Sequence, residues 1–353
     1  MKLYYLVLSL LLFCFACNTA SKSAKPKLNN LTQEFIFEQP VTRNCHASTI
    51  VEVKPNHLMA AWFGGTEEGA KDVGIYYASH TGTSWSSPQS IIQPLVTETD
   101  TFPCWNPVLF KSQSNRLYLF YKVGKNPREW FGAMITSTDD GKTWSDITYL
   151  PEGMLGPIRN KPIEIEKGVI LCGSSTENKD TDEWRVHIEF YTEADDQWEK
   201  VTVPNSKNFE VIQPTFLLHG NNKIQMLCRS KHDRLITSWS EDAGRSWSDM
   251  DSVSVVNANS GVDAVTLNHQ SFLLVNNPLP RGTNWYNGRN VLDLEYSTDG
   301  KLWEKLLDFE KHEKGEFSYP AIIQSSDGKI HVTYTYDREY MKHVVFEMEE
   351  ITL

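Results

Sequence analysis

The chain has 353 residues, with 34 Lys and Arg against 45 Asp and Glu and a net charge of −11. A hydrophobic share of 40% with 22% charged residues excludes wholesale disorder, and the acidic balance, with no basic block, excludes nucleic acid as a partner. Aromatic residues reach 12% of the chain, a surplus that suits an all-β protein, a sugar site, or both.

Residues 1–17 read MKLYYLVLSLLLFCFAC. The apolar run from Leu3 to Phe13 falls short of the roughly 20 residues that span a bilayer and suits the core of a signal peptide. Ala16-Cys17 at its end resembles the lipobox of a bacterial lipoprotein, with ordinary cleavage near Ala20 as the alternative. The expectation is a signal peptide over 1–16, lipidation at Cys17, and a flexible polar tether over 17–32. The mature protein is then exported to the periplasm or cell surface, and its one membrane contact is the lipid anchor. Beyond Cys17 remain Cys45, Cys104, Cys172 and Cys228, far apart and without CxxC spacing. That pattern indicates neither a metal site nor a disulfide framework.

From about Leu31 onward, short runs alternate apolar and polar residues: HLMAAWF (57–63), RLYLFYKV (116–123), KIQMLCR (223–229) and KIHVTYTY (329–336). Period-2 runs rich in Val, Ile, Tyr and Phe predict strands, and no long amphipathic helix competes. Asp140-Gly141, Asn221-Asn222, Asp299-Gly300 and Asp327-Gly328 supply the turns.

A repeat overlies the strands. Residues 137–144 (STDDGKTW) and 240–247 (SEDAGRSW) share the form S-x-D-x-G-x-[TS]-W, and 297–303 (STDGKLW) is one residue shorter. Residues 79–85 and 192–198 are degraded copies ending in Trp85 and Trp198. The five Trp positions are 59, 54, 49 and 56 residues apart, the period of a four-stranded propeller blade. Asp and Ser side chains bond the turn's own backbone, and the Gly takes positive φ. The spacing divides 33–353 into six units, so the expected fold is all-β, a six-bladed β-propeller. Its first strand, Glu34–Glu38, is expected to complete the last blade beside His343–Glu349 and so close the ring.

These turns are the Asp boxes of the sialidase (neuraminidase) superfamily, and the chain resembles its bacterial-neuraminidase-repeat branch over 33–353. The boxes sit on outer turns, so activity must be argued from inward positions. The resemblance implies an arginine clamp for a substrate carboxylate, a Tyr nucleophile helped by a Glu, and an Asp acid/base. On its motifs Arg229 (in MLCRS) and Arg289 (in GRNVL) stand as clamp arginines, and Tyr319 (in FSYPA) as the nucleophile. Asp72 stands as the acid/base, with Glu68 in the same first-blade loop as its rival.

Two positions depart from that pattern. His46 falls where the first clamp arginine is expected, with Arg43 nearby but three residues off. Gln213, in IQPT, falls on the place of the helper Glu, and an amide cannot act as the base that activates a phenol. A pocket His is suited to acid/base work near neutral pH. Glu316, Glu177 and Glu189 are carboxylates that can restore a base, and Trp62, Trp105 and Trp130 are candidates to line a sugar site. Arg159 and Arg234 are further arginines without an assigned place.

The resemblance implies an exo-acting glycoside hydrolase of sialidase type that releases a terminal acidic sugar from a glycan. It implies no metal or organic cofactor, and a monomer is expected. One alternative is a glycosidase or lyase acting on another uronate- or rhamnose-containing glycan through His46. The other is a non-catalytic glycan-binding lipoprotein.

Overall fold

The computed structural model of the chain describes residues 25–284 and 286–349, so Cys17 and the apolar run before it lie outside the described residues. Six antiparallel sheets of four strands follow one another along the chain. Blade 1 comprises Asn44–Lys54, His57–Gly65, Gly74–His80 and Gln89–Ile92; blade 2 comprises Cys104–Lys111, Leu117–Gly124, Trp130–Ser137 and Thr148–Tyr149. Blade 3 is Ile163–Glu166, Val169–Glu177, Trp184–Thr192 and Gln197–Thr202, and blade 4 is Val211–Leu218, Ile224–Ser230, Arg234–Ser240 and Asp251–Val256. Blade 5 is Asp263–Thr266, Phe272–Asn276, Val291–Ser297 and Glu304–Lys311, and blade 6 contributes Phe317–Gln324, Ile330–Tyr336 and Tyr340–Glu349. First strands of neighbouring blades approach one another, which places them around the propeller axis. Among the described residues the helical content is one 3-10 turn, Ser206–Phe209.

The fourth strand of blade 6 comes from the start of the described chain. Lys27–Phe35 pairs antiparallel with Tyr340–Glu349, from Lys27 opposite Glu349 to Phe35 opposite Lys342. The ring closes as expected, but with Lys27–Phe35 instead of Glu34–Glu38, and the last six residues of the expected tether are strand. The reason is exposure: this outermost strand buries almost none of its side chains, so its sequence carries no apolar alternation to read. Ladder bonds and Asn30 Nδ2 donating to Glu347 at 2.9 Å hold it instead.

Apolar clusters fill the gaps between blades. One joins blades 1 and 2 through Met59, Phe63, Leu119 and Tyr121, a second joins blades 3 and 4, and a third joins blades 5 and 6. Trp62 is fully buried against Phe37, so it belongs to this packing and not to a sugar site. The four described cysteines are free and buried. The boxes form the hairpins between third and fourth strands. Asp139 accepts from the Thr143 amide at 2.9 Å and Oγ1 at 2.7 Å, and Asp242 repeats the pair with Ser246 at 2.8 and 2.6 Å. In both boxes the Gly amide donates to the Ser hydroxyl, at 2.9 Å for Gly141 and 2.8 Å for Gly244. Each box thus satisfies its own turn and leaves the axis free for chemistry.

Candidate active site

The first strands of blades 1, 2, 4 and 6 share a local defect. Their ladders shift register at His46/Thr49, Trp105/Val108, Ile212/Thr215 and Ser318/Ala321. At each shift a non-glycine residue holds positive φ: Ala47 at 57°, Asn106 at 41°, Gln213 at 57° and Tyr319 at 53°. In three cases proline follows (Pro107, Pro214, Pro320), and its missing amide takes the next residue out of the ladder. A bulge of this kind re-aims a side chain, and such backbone is tolerated where the surroundings enforce it. Asn106, Gln213 and Tyr319 all line one cavity of about 380 Å³ at the axis.

Trp105, Trp130, Trp184, Glu177, Glu68, Asn259, Arg229, Arg289 and Arg338 complete most of its wall. Arg229 donates from Nη1 to the Tyr319 hydroxyl at 2.7 Å and to Gln213 Oε1 at 3.2 Å, and from Nε to Asn259 Oδ1 at 3.0 Å. Arg289 pairs with Glu316 at 2.9 Å, and Arg338 bridges Glu316 at 2.7 Å and Glu68 at 2.5 Å. Three guanidinium groups surround the Tyr319 ring, with Arg159, Arg289 and Arg229 centred 5.1, 5.6 and 5.8 Å from its centroid. Burial pushes the Tyr319 phenol up, but Arg229 and Arg289 outweigh it and hold the group below its ordinary value.

Of the residues expected at the site, Arg229, Arg289, Tyr319, Gln213 and Glu68 come together here. His46 lies just behind, its ring 4.2 Å from that of Tyr319, buried, with both ring nitrogens unpartnered among the described residues. Burial first, and then Arg338 and Arg289, push His46 well below its ordinary value. It is therefore a neutral ring at neutral pH and not the proton donor that its residue type suggested.

Asp72 and Arg43 are absent from the cavity wall. Asp72 is exposed and accepts from the Thr66 amide at 3.0 Å and Oγ1 at 2.6 Å, so its carboxylate caps its own loop. Arg43 is exposed on the approach to blade 1, three residues ahead of the bulge that would have turned it inward.

Glu189 does not reach the site; it accepts from the Leu155 and Gly156 amides and contacts His187, a buried structural role. Glu316 does not bond Tyr319, being taken up by Arg289, Arg338 and Ser318. Arg159 is buried under the Tyr319 ring, donating to the Val262 and Pro320 carbonyls. Arg234 is exposed at the start of its strand.

Arg338, Asn106 and Asn259 were missed. Arg338 sits in the hairpin after Tyr336 with φ of 57° and belongs to no motif. Asn106 had a signal, because the X-Pro pairs recur at 107, 214 and 320, two blades apart each time.

Residues 56–332 match the model of the BNR repeat-like domain family. The chain belongs to that family. No curated protein matches it in sequence. Among solved structures, the NanB sialidase of Streptococcus pneumoniae is similar at 12% identity and a TM-score of 0.69, over 90% of this chain and 70% of that one. The Trypanosoma rangeli sialidase in complex with sialic acid is similar at 14% identity and a TM-score of 0.69, over 90% of this chain and 59% of its own. A protein of unknown function from Dyadobacter fermentans is similar at 13% identity and a TM-score of 0.70, over 90% of this chain and 99% of that one. At these identities the likeness is one of fold: this BNR repeat-like chain is a six-bladed propeller of sialidase type, and its chemistry rests on its own side chains.

Proposed function

We propose that the protein is an exported, exo-acting glycoside hydrolase that releases a terminal acidic sugar from a glycan. The observation that carries this reading is the state of Arg229. Its three hydrogen-bond acceptors, Tyr319, Gln213 and Asn259, are all neutral, whereas Arg289 and Arg338 are paired with carboxylates. A guanidinium with no bonded carboxylate among the described residues, on the wall of an open cavity, is a seat for the carboxylate of a sugar. The tryptophans on the wall supply flat faces for a sugar ring.

In this reading the ionised Tyr319 Oη, its proton given to solvent, attacks the anomeric carbon while the bond to the leaving glycosidic oxygen breaks. The departing oxygen takes a proton from a cavity carboxyl group; water then cleaves the tyrosyl–sugar bond, returning one proton to that carboxylate as the phenolate leaves. Tyrosine is a poor nucleophile at a pKa near 10. Here the Arg229 N–H bonds the oxygen that must become anionic, which favours the charged form. Export rests on the N-terminal apolar run and Ala16-Cys17.

A second reading is favoured by a specific observation: no carboxylate bonds the Tyr319 hydroxyl among the described residues, and the neutral His46 ring faces the phenol. A phenolate beside a guanidinium is equally placed to remove the proton next to a uronate carboxylate, with elimination of the oxygen at the β-carbon. Assays of aryl sialosides, uronides and rhamnosides, with acidic polysaccharides scored for unsaturated product, separate the two. Release of an acidic sugar, lost in Tyr319→Phe, supports the first reading; an unsaturated product supports the second. Binding of acidic glycans without turnover of any of them overturns both and leaves a glycan-binding lipoprotein.

A further inference from the structure

Hydrolysis at this cavity needs a group that gives a proton to the departing oxygen, and the first-blade loop does not supply it. Asp72 is outside the cavity and tied to Thr66. Glu68 is held by Arg338 at 2.5 Å. Glu316 is bonded to Arg338 and Arg289, whose charges, against the effect of burial, keep it below its ordinary value. Glu316, held in this way, favours its ionised form and is a poor proton donor.

One cavity carboxyl group is different. Glu177 is the last residue of its strand in blade 3, directly across the ladder from Trp184. It lines the cavity, is half-buried, and has no hydrogen bond or ion pair among the described residues. We propose that Glu177 is the proton donor of this site, an inference that rests on the hydrolase reading above.

Position supports the assignment. Blades 3 and 6 stand opposite one another in a six-membered ring, so Glu177 faces the cavity from the side opposite Tyr319. An attacking oxygen and a proton donor must flank the bond that breaks, an arrangement that opposite blades allow. Glu68, in the blade 1 loop, belongs to the blade beside that of Tyr319 and not to the one across from it.

The electrostatics agree. Burial raises the Glu177 carboxyl above its ordinary value, and Asp182 in the adjoining hairpin adds to this. Arg229 and Lys231 from blade 4 and Arg128 from the blade 2 hairpin pull the other way without cancelling it. Of two carboxyl groups in one site, the one whose surroundings raise its pKa is the better suited to the acid role.

The test is a leaving-group comparison on the full chain, with Glu177→Gln, Glu68→Gln and wild type. General acid catalysis is worth on the order of 10²–10⁴-fold. Glu177→Gln should lose about that much kcat/KM on glycosides with a sugar or alkyl leaving group, and far less on nitrophenyl glycosides, which leave without a proton. Its pH–rate profile should lose the basic limb, whereas any loss in Glu68→Gln should fall equally on both substrate classes and keep that limb. Carboxyl-carbon NMR should show, beside the raised Glu295, a second glutamate raised above its ordinary value in wild type whose signal is gone in Glu177→Gln, a variant whose fold is checked by its melting curve.

Equal losses on both substrate classes, or the split appearing in Glu68→Gln, overturn the assignment while the hydrolase reading stands. So does an active enzyme in which Glu177→Gln removes no high-titrating carboxyl signal. A wild type that hydrolyses no acidic glycoside overturns the hydrolase reading, and the donor role falls with it.

Discussion

Nη1 of Arg229 sits 2.7 Å from the Tyr319 hydroxyl and 3.2 Å from the Gln213 amide oxygen, so one guanidinium nitrogen serves the phenol and the residue that stands in the helper's place. A carboxylate at position 213 would have paired with that nitrogen. With an amide there, the positive charge of Arg229 is left to act on the phenol.

Tyr319 should therefore titrate below the other tyrosines. In the ultraviolet difference between wild type and Tyr319→Phe, one phenolate should appear at lower pH than in the bulk. Arg229→Met should move that transition upward. A difference spectrum that titrates with the remaining tyrosines counts against the pairing.

Removing Arg229 should also remove the anion seat. Arg229→Ala should weaken binding of an acidic sugar by about 2–5 kcal/mol, the usual loss for one partner of a buried charged contact. Calorimetry with the free acid against its methyl ester separates this from a shape effect: the wild type should prefer the acid, and the variant should not.

Gln213→Glu reverses the departure at the helper position. The new carboxylate lies where Gln213 Oε1 accepts from Arg229 at 3.2 Å, and so compensates the guanidinium. Affinity for a carboxylate ligand should fall by at least about tenfold, or 1.4 kcal/mol. Unchanged affinity places the ligand carboxylate elsewhere than on Arg229.

Arg338→Met should cost stability before it costs chemistry. Its side chain is 16% exposed and that of Glu316 14%, so the pair is largely buried. Breaking such a pair from one side costs about 3–5 kcal/mol when the remaining charge is left alone, and because Arg289 still pairs with Glu316 at 2.9 Å the loss should stay below that range. The midpoint of denaturant unfolding should fall accordingly, and an unchanged midpoint counts against the pairing.

A carboxyl group far from the cavity sets a pH slope. Burial, with Glu295 adding to it, raises Asp293 to about 8 from an ordinary 3.8. Between those values the folded chain binds a proton that the unfolded chain has lost, so stability falls as pH rises across that window. Asp293→Asn should flatten the melting temperature from about pH 5 to 9 and raise it at the alkaline end. An unchanged slope in the variant assigns the pH dependence to another group.

The fold was legible in the sequence because its signals are local. The boxes at 137–144 and 240–247 close their turns with bonds inside eight residues, and strand alternation needs neighbours only two positions away. Arg229, Arg289 and Tyr319 were legible for a related reason: each lies at a fixed offset from a strand or box. The closing strand Lys27–Phe35 was not, since an outer strand held by backbone bonds puts no constraint on its side chains.

The sequence by itself determined six blades, the outer turns and the inward strands that carry the reactive tyrosine. Only the tertiary structure decided which charges share the cavity. Arg338 meets Glu68 across 270 positions of chain, and Glu177 comes to face Tyr319 because blade 3 closes a ring opposite blade 6. Coulomb interactions depend on distance through space, so the pairing that ties up Glu68 and Glu316 and leaves Glu177 uncommitted exists once the ring has closed, and not before.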